Sequence, residues 1–291
     1  MYADRGSTAG AVERGNKLGD NDIGKIRNKQ ILKDYKEGYF HNMNCILLPK
    51  NAKSISDPQQ ITHIKEILKS SVGDSLTIAE IGGNIGKATI AQINNNEVLL
   101  TDITLDKQPP AKLDLTVVLA LPRPKVLRRL IMDMTSLGVN KLIIVNSYRS
   151  QKSYWQSPLL NRIDEFVFEG LQQAIDTVPP VIEFKKRFKP FVEDEFPALL
   201  LDKDGEKEQG NAVIAHPYAS QSWKTYLDVA KCKTSNKDNM PKVLCIGAEG
   251  GWIDYEVDLL CQHGCKAVSL GPRILRTETV VNVLLGHWLE E

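Results

Sequence analysis

Three charged side chains stand where an apolar helix is predicted to begin, near the end of the chain. The segment VSLGPRILRTETVVNVLLGHW, residues 268–288, places Arg273, Arg276 and Glu278 between a short strand and that helix. Guanidinium groups bind anions and stabilise negative charge that develops during a reaction, and a carboxylate can accept a proton. Charges in this position either cap and solubilise the helix or hold a ligand.

Two more segments with candidate functional residues follow predicted strands. IGAEGGW begins at Ile246, the last residue of a strand, and its glycines let the backbone approach a ligand closely. AHPYAS, at residues 215–220, follows another strand and supplies an imidazole and a rigid proline. A glycine turn alone is a weak motif, because a tight strand-to-helix connection with an incidental glutamate uses the same residues. The residues of interest are Gly247, Glu249, Gly250, Gly251, His216 and Pro217.

The elements that must position these segments alternate from Leu113 onward. Near-continuous apolar strands are predicted at LTVVLALP, KLIIVNS, VIEFKK, NAVIAHP, KVLCIGAEG and KAVSLGP. Helices are predicted at PKVLRRLIMDMTSLG and SPLLNRIDEFVFEGLQQAIDTV. This pattern predicts an α/β domain whose parallel sheet is covered on both faces. Ligands bind beyond the carboxyl ends of such strands, so the three segments would lie together if their strands are neighbours.

The preceding part of the chain has a different pattern. Residues 43–112 contain short predicted strands and turns, one helix at PQQITHIKEILKS, and a closing Pro109-Pro110. They predict a small β-barrel or sandwich, followed by the α/β domain over residues 113–291. Residues 1–42 are rich in Gly, Asn, Asp and Lys and lack apolar periodicity. We predict that they form a disordered or non-native extension, with a functional basic arm as the alternative.

Composition and two further motifs narrow the classes of function. No apolar run approaches the ~18 residues of a membrane span, and five scattered cysteines in apolar surroundings are typical of free thiols. GGNIGK, at residues 82–87, lacks the spacing of a phosphate-binding loop and predicts a hairpin turn. CQHGC, at residues 261–265, has no second ligand pair, and Gly264 is predicted to end a helix. We therefore predict a cytoplasmic protein with no metal site and no membrane partner.

Basic residues cluster in three patches although the formal net charge is only +1. A solvated charged face is the default interpretation of any one patch. Aromatic residues accompany two of the patches, and RNA bases stack on aromatic side chains, so together the patches favour RNA as a partner. The aromatic residues include Tyr148, Trp155, Phe184 and Phe188. The basic residues assigned to RNA are Arg123, Lys125, Arg128, Arg149, Lys185, Lys186 and Arg187.

Taken together, IGAEGGWIDYEV and VSLGPRILRTETVVNVLL resemble the RsmE family of 16S rRNA uridine-N3 methyltransferases, in the SPOUT superfamily. The similarity extends upstream to TSLGVNKLIIV and to ITHIKEILKSSVGD, so it covers the chain from about Met43 onward. The upstream residues that carry it are His63, Leu68, Lys69, Gly73 and Asp74. The resemblance implies a PUA-like β-barrel that docks RNA, a trefoil-knotted α/β domain that uses S-adenosylmethionine, and a homodimer with the site near the subunit interface.

The resemblance also implies roles for particular residues. Arg276 would stabilise the anion that develops on uracil, while Glu249 or Glu278 would accept the N3 proton. Arg273 would meet rRNA phosphate or fix its loop. The alternative for Arg276 and Glu278 is a structural ion pair that braces the knot. The residues expected to contact S-adenosylmethionine are His216, Pro217, Ile246, Gly247, Gly250, Gly251, Leu270, Gly271, Ile274, Leu275 and Thr277.

Three departures from the family pattern leave the RNA target open. Ala248 replaces the proline of the usual GPEGG turn, and Ile175 stands where an arginine is expected after Gln172. LPRPKVLRR also differs from the family's PKGD-type segment. We expect methylation of uridine N3 in small-subunit rRNA, within the subunit or its precursor. The alternatives are methylation of another rRNA or tRNA position, and a non-catalytic RNA-binding factor for ribosome assembly.

Overall fold

The computed structural model describes residues 43–201, 211–231 and 240–289. Residues 1–42, for which a disordered extension is predicted, lie outside this range. Within it the chain forms two β-sheets, and each sheet gathers its strands from one continuous part of the sequence. The change from the first sheet to the second falls between Lys107 and Leu113.

The first sheet contains five strands and one short helix. Their bounds are β1 Ile46–Leu48, β2 Ser54–Ile55, α1 Pro58–Thr62 with a π-helical continuation His63–Ile67, β3 Ser75–Glu80, β4 Ile85–Ile93 and β5 Val98–Lys107. The strand order is β1-β3-β4-β5-β2, with β1 and β3 parallel and the other pairs antiparallel. GGNIGK joins β3 to β4 as a hairpin, as predicted, with Gly82 at a φ of 69°.

The second sheet has six strands, all parallel, as the sequence predicts. Their bounds are β6 Leu113–Ala120, β7 Val139–Val145, β8 Val181–Lys185, β9 Ala212–Ala215, β10 Val243–Ile246 and β11 Cys265–Val268. The order is β11-β9-β10-β6-β7-β8. Alternate residues of one strand enter different cores: Val117 and Leu119 face one, Val118 and Ala120 the other. The strands are apolar throughout because both faces of the sheet are covered.

Helices cover the two faces unequally. The principal helices are α2 Pro124–Ser136, α3 Ile163–Ala174, α4 Phe188–Pro190, α5 Trp223–Lys231, α6 Asp254–Gln262 and α7 Thr277–Gly286. Apolar residues of α2, α3, α5 and α7 enter one core, and those of α6 and of residues 188–200 enter the other. Gly264 follows α6 with a φ of 111°, so it ends this helix as predicted. Helix α5 and the helical turns of residues 188–200 were not predicted from the sequence.

The predicted helix over residues 157–178 is shorter than expected. A 3₁₀ turn occupies Pro158–Arg162, and α3 ends at Ile175, whose backbone is left-handed with a φ of 54°. Asp176 stabilises this end, because its side chain accepts the backbone N–H groups of Thr177 and Val178 over 2.6 and 3.0 Å. A β-branched residue in this conformation is strained. The position where the family pattern has an arginine is therefore used here to end a helix.

Buried polar contacts hold the first sheet against the end of α3. The Gln60 side-chain amide donates to the Leu47 carbonyl over 2.9 Å and to the Gln172 side-chain oxygen over 3.0 Å. Both glutamines are buried. Lys112 forms an ion pair with Asp176 over 2.5 Å, with side chains 12% and 3% exposed. Gln172 therefore helps to fix the position of the first sheet.

Candidate functional site

Three loops at the carboxyl edge of the second sheet enclose a cavity of about 260 Å³. They follow β9, β10 and β11, and β9 lies between the other two strands, so the prediction that these loops lie together is confirmed. Gly271 does not line the cavity, although it was expected to contact the cofactor. The other residues expected there do line it: His216, Pro217, Ile246, Gly247, Gly250, Gly251, Leu270, Ile274, Leu275 and Thr277.

The turn between β10 and α6 requires glycine at particular positions. A Cβ on Gly247 would lie 2.9 Å from the Gly251 Cα, which is closer than carbon atoms normally approach. Gly251 has a φ of 69°, and its N–H donates to the Ala248 carbonyl over 2.8 Å. The Thr277 hydroxyl donates to the Gly247 carbonyl over 3.3 Å, which ties this turn to α7. Ala248 is buried in the core, and the turn closes with this alanine in place of the family's proline.

The loop after β11 contributes Leu270, Arg273, Ile274 and Leu275 to the lining of the cavity. Within the described part of the chain, no backbone N–H or C=O from Leu270 to Leu275 has a hydrogen-bond partner. Gly271 has a φ of 105°, a conformation open to glycine. Adenine, an amino group and a carboxylate all pair with backbone N–H and C=O groups. This donor and acceptor set, beside the apolar side chains of Ile246 and Ile274, therefore fits S-adenosylmethionine.

Arg149 forms a further wall of the cavity, a role that the sequence did not reveal. The sequence pattern placed it in an RNA-binding patch, but its guanidinium donates to the Gly250 carbonyl and the residue lines the cavity. A Cβ on Gly250 would lie 3.0 Å from two carbons of the Arg149 side chain. The buried Glu256 carboxylate positions this loop, since it accepts the N–H groups of Tyr148 and Ile253 over 2.8 and 3.0 Å. The only sequence signal for Glu256 is its place in the first turn of a helix.

The charged residues around the start of α7 have different surroundings. Arg273 lines the cavity. Arg276 is exposed at the N-cap of α7, and its side chain has no partner among the described residues. Glu278 forms an ion pair with Arg129 of α2 over 2.8 Å. The alternative of a buried structural pair between Arg276 and Glu278 is therefore wrong, because Arg276 is exposed and no ion pair joins it to Glu278.

Glu249 is the candidate base that lies at the cavity itself. Its carboxylate accepts the Arg123 backbone N–H over 3.1 Å and lies 3.9 Å from the Arg123 Nε. The Glu249 side chain is 29% exposed, so water and substrate can reach it. Arg123, which was assigned to RNA, thus also holds this carboxylate in place.

A protein-family model described as an RNA methyltransferase domain matches residues 109–289, which is more than half of the chain. The chain belongs to the RNA methyltransferase family. This methyltransferase is 28% identical over 228 residues to the ribosomal RNA small subunit methyltransferase E of Treponema pallidum, a match that covers 75% of this chain and 77% of that protein. It is 26% identical over 254 residues to the protein of the same name from Rickettsia conorii, covering 84% and 95% of the two chains.

Two solved structures share the fold of this methyltransferase. A putative methyltransferase from Legionella pneumophila, in complex with the bound cofactor SAM, has a TM-score of 0.62 at 20% identity and covers 85% of this chain and 97% of that one. The ribosomal RNA small subunit methyltransferase E of Neisseria gonorrhoeae, bound to S-adenosyl methionine, has a TM-score of 0.59 at 19% identity, with coverage of 84% and 96%. The mixed α/β fold with a parallel sheet is common to all three.

The basic patches of the methyltransferase are only partly available to RNA. Arg128 pairs with Glu169 over 3.0 Å, and Lys185 pairs with Glu195 over 2.6 Å, so neither charge is free. Phe188 is buried, which makes it part of the core and removes it as a surface for base stacking. This part of the prediction is wrong, because the apolar surface of the aromatic ring is covered by the neighbouring helices. Lys125, Lys186 and Arg187 are exposed and have no ion-pair partner among the described residues.

Neither a metal cluster nor a membrane-spanning helix occurs within the described residues. No group of three or more His, Cys, Asp or Glu side chains there could hold a metal ion. The described helices are too short or too polar to cross a membrane.

Proposed function

We propose that this methyltransferase transfers a methyl group from S-adenosylmethionine to N3 of a uridine in the RNA of the small ribosomal subunit. The observation that carries the proposal is the cavity at three adjacent strand ends, with unpartnered main-chain groups on one side and arginines at its mouth. Both sequence relatives are named for the RNA of the small subunit, and both structural relatives hold the cofactor. These names support the substrate class and the cofactor.

The loop from Leu270 to Leu275 and the glycine turn would hold the cofactor, with His216 and Pro217 on the third side. When bound, S-adenosylmethionine supplies an electrophilic methyl group on a sulfonium. The protein has to position the uracil ring for an in-line attack, and such positioning supplies several kcal/mol of the barrier. The rigid, glycine-dependent turn serves this purpose because its backbone is fixed before the ligand arrives.

The remaining chemistry concerns the uracil proton. Neutral uridine has no free lone pair at N3, so the N–H bond must break as the new N–C bond forms. Glu249 would accept this proton, because its partly exposed carboxylate lies at the cavity, whereas Glu278 does not line it. Arg276 would stabilise the negative charge that spreads onto the uracil carbonyl oxygens.

The other features of the proposal concern the assembly. Residues 43–112 would form a PUA-like barrel that docks the RNA, and residues 113–291 a trefoil-knotted SPOUT domain that carries out the transfer. Lys125, Lys186 and Arg187 would contact phosphates. The enzyme would work as a homodimer in the cytoplasm, on the small subunit or its precursor.

The test is methyl transfer by purified protein, with labelled S-adenosylmethionine and unmodified small subunits or their rRNA. Digested nucleosides are separated by liquid chromatography and detected by mass spectrometry. The retention time against authentic standards distinguishes N3-methyluridine from its C5- and 2′-O-methyl isomers, which have the same mass. Gly247→Ala should abolish cofactor binding and transfer, because its Cβ would meet the Gly251 backbone. Gly286→Ala is the control, since a Cβ there has open space and should leave both unchanged.

Each outcome separates one function from another. N3-methyluridine at one site supports the proposal, and a different methylated nucleoside refutes the target while keeping the enzyme class. If the protein binds RNA but does not bind S-adenosylmethionine and transfers no methyl group, its function is that of a non-catalytic assembly factor.

A further inference from the structure

Two of the three most exposed large apolar side chains of the described residues line the cavity. Tyr148, Tyr218 and Ile274 are 80%, 77% and 73% exposed, more than any other large apolar side chain in those ranges. Tyr218 and Ile274 line the cavity, and Tyr148 immediately precedes Arg149, which also lines it. Single exposed apolar residues are common on protein surfaces. Two of them in the lining of one cavity indicate a surface that is covered when the enzyme works.

Both tyrosines project from backbone that is held in place. The Tyr218 ring packs edge-on against the His216 ring, with centroids 5.7 Å apart and an interplanar angle of 74°. The backbone there turns back through a hydrogen bond from the Ala219 N–H to the His216 carbonyl over 3.2 Å. The Tyr148 backbone N–H is bound by the buried Glu256 carboxylate. The positions of both residues are therefore fixed while their side chains stay in solvent.

We propose that Tyr218 stacks on the uracil that enters the site. This inference rests on the proposed function and adds the residue that would capture the base. Aromatic rings stack on bases of any sequence, and arginines pair with the phosphates between them. Arg149 and Arg273, both at this cavity, supply that positive charge.

The charges favour RNA over a second copy of the chain as the occupant of this surface. A twofold contact through the same patch would bring the arginines of two copies towards each other, which is unfavourable. The family resemblance places the site near the subunit interface, so the oligomeric state of each variant is measured beside its RNA binding.

The experiment compares Tyr218→Ala, Tyr218→Trp and wild-type protein, with Tyr255→Ala as the control. Tyr255 is also exposed, at 52%, but does not line the cavity. Binding is measured by fluorescence anisotropy with a short labelled oligouridylate and by titration calorimetry with S-adenosylmethionine. We expect Tyr218→Ala to weaken oligouridylate binding about 5- to 150-fold. Tyr218→Trp and Tyr255→Ala should bind as wild type, and the affinity for S-adenosylmethionine should stay within about threefold in every variant.

Three results would overturn the inference. Oligouridylate binding by Tyr218→Ala that equals wild type would show that the ring does not stack. Equal losses of RNA and cofactor affinity would place Tyr218 in the cofactor site, and conversion of a dimer to a monomer by Tyr218→Ala would make the surface a subunit contact. If wild-type protein binds RNA and methylates it while Tyr218→Ala is unaffected, only this inference fails. If wild-type protein does neither, the proposed function fails with it.

Discussion

Substitution of Gln60 by leucine tests how firmly the first sheet is held against α3. The Gln60 amide donates to two acceptors, the Leu47 carbonyl and the Gln172 side chain, and both glutamines are buried. Leucine has a similar volume but cannot donate, so two buried acceptors lose their partner. An unsatisfied buried group costs about 1–3 kcal/mol. Allowing for the apolar surface that leucine buries, we expect the free energy of unfolding to fall by about 2–4 kcal/mol.

Thermal unfolding measured by calorimetry and circular dichroism would record this loss. At roughly 2–4 °C per kcal/mol for a chain of this size class, the midpoint should fall by on the order of 5–15 °C. Gln59→Leu is the matched control, because the Gln59 side chain makes no hydrogen bond within the described residues. The Gln59 backbone N–H donates to the Asp57 side chain at the start of α1, and leucine keeps this hydrogen bond. The affinity for S-adenosylmethionine should not change, since the cavity is built from other loops.

A double variant separates the pair from its surroundings. Gln60→Leu combined with Gln172→Leu should lose less stability than the sum of the single losses, since the second change removes an acceptor that the first has left unpaired. We expect the loss of stability in the double variant to be smaller than the sum of the two single losses by about 1 kcal/mol. A melting point for Gln60→Leu within the error of wild type, or strict additivity, would show that water reaches these amides and that they do not secure the contact.

Three further predictions concern catalysis, RNA binding and pH. Arg276→Ala should lower kcat about 10²–10³-fold with little change in cofactor affinity; single-turnover rates equal to wild type would remove this guanidinium from the reaction. Changing Lys186 and Arg187 to glutamate should weaken rRNA binding and reduce its salt dependence, whereas an unchanged slope of log affinity against log salt would make them a solvated face. Burial lowers the pKa of His63 below its ordinary value near 6.5, against a smaller opposing effect of its hydrogen bond to the Met43 carbonyl. The contribution of neutral His63 to the free energy of unfolding is therefore fully present above pH 6.5. It should fall as the pH drops through that value towards the pKa of His63 in the folded state. His63→Gln should lose this dependence, and urea titrations at several pH values would contradict the reasoning if both proteins behave alike.

The second sheet could be predicted from sequence because its strands carry a local signal. A strand buried on both faces must be apolar at every position, and a short run such as Val117–Ala120 is typical of such a strand. The sequence left open whether β9, β10 and β11 are neighbours, and their order in the structure places the three loops at one edge. Strand order is not a local property, so the cavity itself could be expected only on that condition.

The contacts between distant residues could not be predicted in the same way. Glu278 and Arg129 are far apart in sequence, and no local pattern shows that Glu278 pairs with Arg129 and not with the nearby Arg276. Arg149 looked like one member of a basic patch, yet its guanidinium binds a carbonyl of the glycine turn. The end of α3 at Ile175 was also hidden, because a β-branched residue has no propensity for the left-handed backbone that it adopts there.

The loop from Leu270 to Leu275 has a consequence for how mutational data on this enzyme should be interpreted. Apart from the Arg273 guanidinium, its hydrogen-bonding groups belong to the main chain, which every residue type except proline supplies alike. Alanine scanning would leave these groups in place and so understate how much the loop contributes. Its importance would emerge from substitutions that redirect the backbone, such as β-branched residues at Gly271.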